Sequence, residues 1–334
     1  MEKGQKFEEA LENAATSVAD FDTDDKSFVS RFHHALHTTP ALVPLIVLVA
    51  AIVVFGLTLG SKFFSPFALT LILQQVQIVG IVAAAQSIVI LTAGIDLSVG
   101  AIAVITSVFM GQFTFRYGIP VELSVLMGLT SGTAIGALNG WLVAVMRLPP
   151  FIVTLGMWQI VLAANFLYSA NETIRSQDIA EQAAFLQFMG SKFKIGGAVF
   201  TYGVVFMVIL VIVLAYALRA TAWGRHVYAV GDDPEAAELS GVNVKRTLIT
   251  VYATAGLICG FAGWALIGRI GSVSPTSGQL LNIESITAVV IGSISLFGGR
   301  GSIVGTFFGA LIVGVFTLGL RLAGADAQWT YLLI

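Results

Sequence analysis

LTAGIDLSVG, residues 91–100, interrupts an apolar run from Phe67 to Phe115 in which Asp96 is the only formally charged side chain. A carboxylate at the centre of a membrane-spanning helix costs about 2.5–3.5 kcal/mol. The cost shrinks at a helix start, where aspartate accepts hydrogen bonds from the free N–H groups of the next turn. Thr92, Gly94 and Asp96 therefore mark a break between two helices. Two roles fit Asp96: a structural cap near a membrane face, or a direct part in a pathway or its gating.

Outward from this break the apolar text continues. Of the 334 residues, 57% are hydrophobic and 11% charged, with a mean hydropathy of +0.90, whereas soluble domains carry about 25% charged residues. A hydrocarbon core about 30 Å thick needs roughly 20 apolar residues in a helix. Such runs lie at 41–60, 67–92, 96–115, 121–146, 151–170, 199–219, 248–268, 284–297 and 302–321. The eighth is short, and a tenth begins near Trp329 and is cut off at Ile334. None alternates apolar and polar residues as a membrane β-barrel strand must. The predicted fold is all-α: a polytopic membrane bundle of about ten transmembrane helices with broken or short members.

LTAGIDLSVGA (91–101) and LFGGRGSIVGT (296–306) share a pattern: a glycine-containing break, a charged residue (Asp96, Arg300), serine, aliphatic residues and glycine. With a one-residue shift they suggest two related halves, as in many transporters. Gly128, Gly132, Gly136 and Gly140 recur every fourth residue, as do Gly301, Gly305 and Gly309, and Gly256 with Gly260. Ridges of small residues let membrane helices approach closely.

Other function classes are excluded or unsupported. A net charge of −2 with no basic stripe gives no footing for nucleic acid. Cys259 is the only cysteine, so no internal disulfide or thiol-rich metal site can form. His33, His34 and His37 lack an acid or thiol neighbour and read as a plain juxtamembrane segment. No G-x-x-x-x-G-K-S/T phosphate loop occurs, so ATP is not bound by that device. Proton-coupled carriers keep ionisable relays inside their spans, and here Asp96 is nearly alone. Residues 1–39 form a soluble tail; from Met1 to Ser30 eight acids face three lysines, and the tail lacks the basic start and apolar core of a secretory signal.

The polar stretch TAWGRHVYAVGDDPEAAELSGVNVKRT (221–247) is the most informative. Asp233 caps a short helix, Pro234 suits its first position, Glu235 adds favourable charge in its first turn, and Gly241 suits the position past its end. Ala236 and Ala237 leave one face slim, open to another protein's surface.

Glu235, Ala236, Ala237, three residues and Gly241 resemble the EAA-x-x-x-G loop of permease subunits in binding-protein-dependent ABC importers. AGIDLSVGAI, GALNGWLVAVMRLPPFIVTLGM (136–157), GRHVYAVGDDPEAAELSGV and SLFGGRGSIVGTFFGALIVG (295–314) resemble the ribose, xylose and fructose type of sugar permease. The similarity runs from about residue 40 to the end. It implies a transmembrane permease domain over 40–334 that pairs with a second copy or a paralogue. It also implies two cytoplasmic ATPase subunits, which hold ATP and Mg, and a periplasmic protein that delivers the sugar. No cofactor is expected in this chain. By the same resemblance, Asp233, Pro234, Glu235, Ala236, Ala237 and Gly241 form the coupling helix that docks on an ATPase. Ser293 and Ile294 depart from the Gly and Thr expected before SLFGG, and the last span lacks its usual remainder, which points to a shortened sequence.

Charge bias barely orients the chain. With the amino end inside, eight Lys and Arg (Lys26, Arg31, Arg147, Arg219, Arg225, Lys245, Arg246, Arg300) lie near cytoplasmic ends, and seven (Lys62, Arg116, Arg175, Lys192, Lys194, Arg269, Arg321) lie outside. The resemblance selects this orientation, in a bacterial inner membrane, because it makes 220–247 cytoplasmic. It makes 171–198 an external loop, whose Ile179, Ala183, Leu186, Phe188 and Met189 suggest an amphipathic face resting on the membrane or receiving a binding protein.

A neutral sugar needs hydrogen-bonding groups without strong charge along its path. Gln86, Asp96, Ser98, Asn139, Gln159, Asn165 and Arg300 are the pathway or gating candidates, with Gln74, Gln75 and Gln77 as further polar span residues. Each amide could equally bridge helices, and Trp141 and Trp158 could stack on a sugar or simply pack. The expected function is passage of a monosaccharide (ribose, fructose, xylose or a related pentose or hexose) driven by partner ATPases, with no covalent chemistry in this chain. The alternative is a secondary carrier or facilitator that works without an ATPase.

Overall fold

The computed structural model describes residues 41–325. Among the described residues, eight helices are long and apolar enough to cross a membrane: α1 (Leu42–Leu59, extended by a 3-10 turn to Lys62), α2 (Pro66–Ile90), α3 (Val99–Tyr117), α4 (Val121–Ala144), α5 (Pro150–Ser169), α7 (Tyr202–Ala220), α10 (Val244–Ile270) and α12 (Ile303–Leu322). Shorter helices are α6 (Ser176–Gln182), α8 (Ala222–Asp232), α9 (Pro234–Leu239) and α11 (Leu281–Ile291). Their ends follow local chemistry. Ser65 accepts a hydrogen bond from Ala68 N–H, with Pro66 at the first position of α2. Asn243 caps α10 through Arg246 N–H, and Ser302 caps α12 through Val304 N–H.

The centre is built from α2, α3, α10 and α12, while α1, α4, α5 and α7 leave broad apolar faces outward, such as Ile209, Ile212, Val213 and Tyr216 on α7. The glycine ridges do what their spacing predicts. Gly132 and Gly136 of α4 press on the backbone of α10 at Gly256 and Tyr252, and Gly309 of α12 presses on Ala288 of α11. With no side chain between them the backbones meet, so dispersion contacts replace a hydrophobic drive that lipid cannot supply. Gly136→Ala puts a methyl group into the Tyr252 carbonyl oxygen. It should cost about 2 kcal/mol, read as an earlier thermal transition of the detergent-solubilised protein.

Three expectations change. The eighth run is not a span over 284–297: α11 starts at Leu281 and stops at Ile291, and its apolar continuation is loop. The helix ends where Gly292 packs against the backbone of Gly305 and Thr306 and Ser293 turns to φ 64°. The sixth run is entered by a short antiparallel hairpin, β1 (Lys192–Ile195) with β2 (Ala198–Thr201), and becomes helical only at Tyr202. The loop before it does not spend its apolar face on lipid. Ile179, Ala183, Leu186 and Met189 are buried in the protein and only Phe188 of that face stays exposed; Gly190 packs on Gly268, and Trp264 Nε1 donates to the Phe185 carbonyl. The run from Trp329, the acidic tail and His33, His34 and His37 lie outside the described residues.

Candidate functional site

Between α2 and α3 the chain leaves helical geometry for eight residues, 91–98. Ala93 turns to φ 59°, and Thr92 Oγ1 donates to Val89 O, closing the end of α2. Asp96, 1% exposed, accepts from Ser98 N–H at 2.7 Å and from the Ser98 hydroxyl at 2.5 Å. The carboxylate thus forms a turn leading into α3, whose first helical residue is Val99. This corrects the expectation of Asp96 as the cap of α3: Ser98 holds that position, and Asp96 acts two residues earlier.

Four helices clamp the break. From α2, the Gln86 amide, oriented to satisfy both groups, donates to the Asp96 carbonyl at 2.9 Å and accepts from the Asp96 N–H at 3.2 Å. From α4, Asn139 Nδ2 donates to Ser98 Oγ at 2.9 Å. From α5, Thr154 Oγ1 accepts from Leu97 N–H and donates to Ile95 O. From α11, Asn282 Oδ1 accepts from Gly100 N–H at 2.6 Å. Every one of these bonds is to a neutral group, so they satisfy the break's buried polar atoms without adding charge. Tyr252 of α10 completes the surround: its hydroxyl is buried, has no hydrogen-bond partner among the described residues, and stands so close to Gly94 that a side chain there would collide with it.

The polar stretch after α7 folds as two short helices. Thr221 caps α8, which turns Gly224, Val227, Val230 and Gly231 inward. Trp223 Nε1 donates to Thr250 Oγ1, and the Tyr228 hydroxyl donates to Gly301 O at 3.0 Å. Burial pushes the Tyr228 phenol above its ordinary range, so it stays a donor. Asp233 caps α9 by accepting from Glu235 N–H at 2.9 Å and Ala236 N–H at 3.0 Å. Gly241, at φ 87°, ends the turn after α9, where Val242 N–H bonds back to Ala237 O. Glu235, Ala236, Glu238 and Leu239 face outward, Leu239 at 91% exposure. Ala237 is buried, so only Ala236 serves the slim outer face expected of both alanines.

These two regions touch. Gly231 presses directly on the Leu91 carbonyl oxygen, Gly299 N–H donates to that same oxygen at 3.0 Å, and Gly299 packs on Asp232. The break at 91–98, the loop 295–301 and the end of α8 therefore share one backbone junction, with α9 immediately beyond it.

The remaining sequence candidates divide. Gln86, Asp96, Ser98 and Asn139 converge as one cluster. Asn165 stands apart, donating to Pro275 O at 2.8 Å. Gln159 is exposed on the outer side of α5, and Arg300 is exposed in the loop before α12. Gln75 accepts from Arg269 and Gln77 from Thr201, so both link elements. Thr154, Tyr252, Asn282, Gly231 and Gly299 belong to the site without having been singled out. Thr154 follows the polar-in-span rule that selects Asn139, but threonine commonly satisfies itself on its own helix, as here on Pro150 O. Asn282 falls just before the run drawn from 284. Among the described residues, no group of three or more His, Cys, Asp or Glu is placed to hold a metal ion.

Residues 68–334 match the family described as branched-chain amino acid transport system, permease component. The chain belongs to this permease family. The permease is 70% identical to the fructose import permease protein of Rhizobium meliloti, over 99% of its own length and 92% of that relative. It is 36% identical to the ribose import permease protein of Escherichia coli K12, over 86% of its length and 87% of the relative. Identity to the xylose transport system permease protein of Haemophilus influenzae is 28%, over 86% and 91%. No solved structure matches. The resemblance read from the sequence thus stands at family level: the permease is a multi-pass transport component and not an enzyme.

Proposed function

We propose that the permease carries a monosaccharide across the bacterial inner membrane as part of an ATP-driven importer, with fructose the first substrate to test. A periplasmic binding protein delivers the sugar, two ATPase subunits hold and hydrolyse Mg-ATP, and a second copy of this chain completes the path. The domain assignment follows: a cytoplasmic tail over 1–39, the permease over 40–334, a cytoplasmic coupling loop at 220–247 and an external loop at 171–198. The observation that carries this reading is the junction between the end of α8, to which α9 is joined, and the α2–α3 break. A rod whose outer face is free is keyed through Gly231 and Asp232 onto Leu91 and Gly299. Displacement of α9 by an ATPase is therefore passed through the end of α8 to the backbone at the foot of α2 and α3. That is the geometry a rigid-body switch requires. Identity to the fructose and ribose import permeases supports the substrate class.

Sealed vesicles containing the permease test this reading against a carrier that needs no ATPase. Uptake of labelled fructose or ribose should require the ATPase, internal ATP and the binding protein together. Equal uptake by the permease alone, with ATP withheld, would establish the carrier instead.

A further inference from the structure

α11 has 11 residues and rises about 16 Å, roughly half a hydrocarbon core. It is preceded by an irregular stretch, 271–280, and its second residue, Asn282, bonds Gly100 in the first turn of α3. Irregular backbone at membrane depth persists only where protein buries it or where it lines a cavity. Here it does line one: a small, partly open cavity lies between 275–282, α3 and α5.

The walls are chemically specific. Trp158 is held by packing on the α3–α5 contact at Ala101, Ile105, Met157 and Val161 and borders the cavity with part of its surface. Asn165, 1% exposed, spends Nδ2 on Pro275 O and leaves Oδ1 with no partner among the described residues. Asn282, 5% exposed, spends Oδ1 on Gly100 N–H, which leaves its amide NH2 as a donor. Ser277 and Gln279 add further polar groups. A packing defect in a membrane protein would be lined by apolar groups and stay empty. Two anchored amides and an indole are instead the groups that meet a polyol: hydroxyls exchange donors and acceptors with amides, and the ring's C–H face lies on an aromatic face. Among the described residues no ionised side chain lines the cavity, which suits a neutral ligand that must also leave.

We infer that this cavity is a monosaccharide contact site inside the permease, with Trp158 under the sugar ring and Asn165, Gln279 and Asn282 on its hydroxyls. The inference rests on the sugar-import reading and extends it, because it places a recognition step within the membrane chain itself.

The test uses S277C in the assembled complex in sealed vesicles. The chain's other thiol, Cys259, is fully buried, so a maleimide reports position 277. Fructose or ribose should slow labelling, about threefold when the sugar stands at twice its dissociation constant, and the S277C/N165L pair should lose that protection. Unchanged labelling rates with either sugar would overturn the site, as would full protection persisting in the pair. Uptake measured in the same vesicles separates the two ideas. ATP-driven import by S277C without protection leaves the importer standing and removes the site, whereas absence of any monosaccharide uptake by the unmodified complex removes both.

Discussion

Glu235→Lys and Ala236→Trp should each lower ATP-driven sugar uptake at least about tenfold, the scale of a hot-spot loss at a protein interface, while the permease still inserts and accumulates. Neither side chain supports its own fold. Both are exposed, and α9 is held by the Asp233 cap, by the Gly241 turn and by the Val242 bond to Ala237 O. The lysine reverses charge on the outer face, and the indole props an approaching surface away from a helix that offers only a methyl group there. ATP hydrolysis and uptake measured in the same vesicles should diverge, with hydrolysis continuing while sugar stays outside. Unchanged uptake in both variants would remove α9 from the coupling role.

Gly231→Val should have the larger effect on the molecule itself. A β-carbon at 231 would overlap the Leu91 carbonyl oxygen and crowd Gly299 N–H, two backbone groups that already bond each other. Relief requires parting the junction, which exposes a buried donor and acceptor as well as creating overlap. Together these should exceed about 3 kcal/mol. The measurement is the yield and thermal transition of the solubilised protein, with import falling in parallel. A variant that folds and imports normally would show that α8 does not need to touch the break. Gly241 gives the internal contrast: it has a positive φ and open space around it, so Gly241→Ala should strain a turn without disturbing the junction.

The two regions differ in how far local chemistry announces them. α9 is legible because its determinants are neighbours in the chain: Asp233, Pro234 and Gly241 act within a turn of the helix they bound. The break at Asp96 is legible because a lone carboxylate in an apolar run is costly wherever it is not satisfied. What satisfies it is not legible. Asn139, Thr154 and Asn282 reach residues 95–100 from 41 to 182 positions away in the chain, and nothing in their own surroundings points to Asp96. Gln159 and Asn165 look alike in sequence, yet one helix rotation sends the first outward and the second inward. Hydropathy overruns the helix in the eighth run for a related reason. Hydropathy continues through Ile294 and into Leu296 and Phe297, whereas the helix stops at Ile291 because Gly292 must meet the backbone of α12. Phe297, 90% exposed, lies in the loop beyond the helix.

The half-length α11 also constrains how a newly made chain is assembled. Left alone in lipid as it emerged from the insertion machinery, the stretch 271–302 would present unpaired peptide groups to hydrocarbon, each costing several kcal/mol. Its receiving surfaces, Gly100 on α3, Asn165 on α5 and Leu91 at the end of α2, all come from earlier in translation. The stretch 271–302 therefore depends for its peptide hydrogen bonds on helices that are made before it.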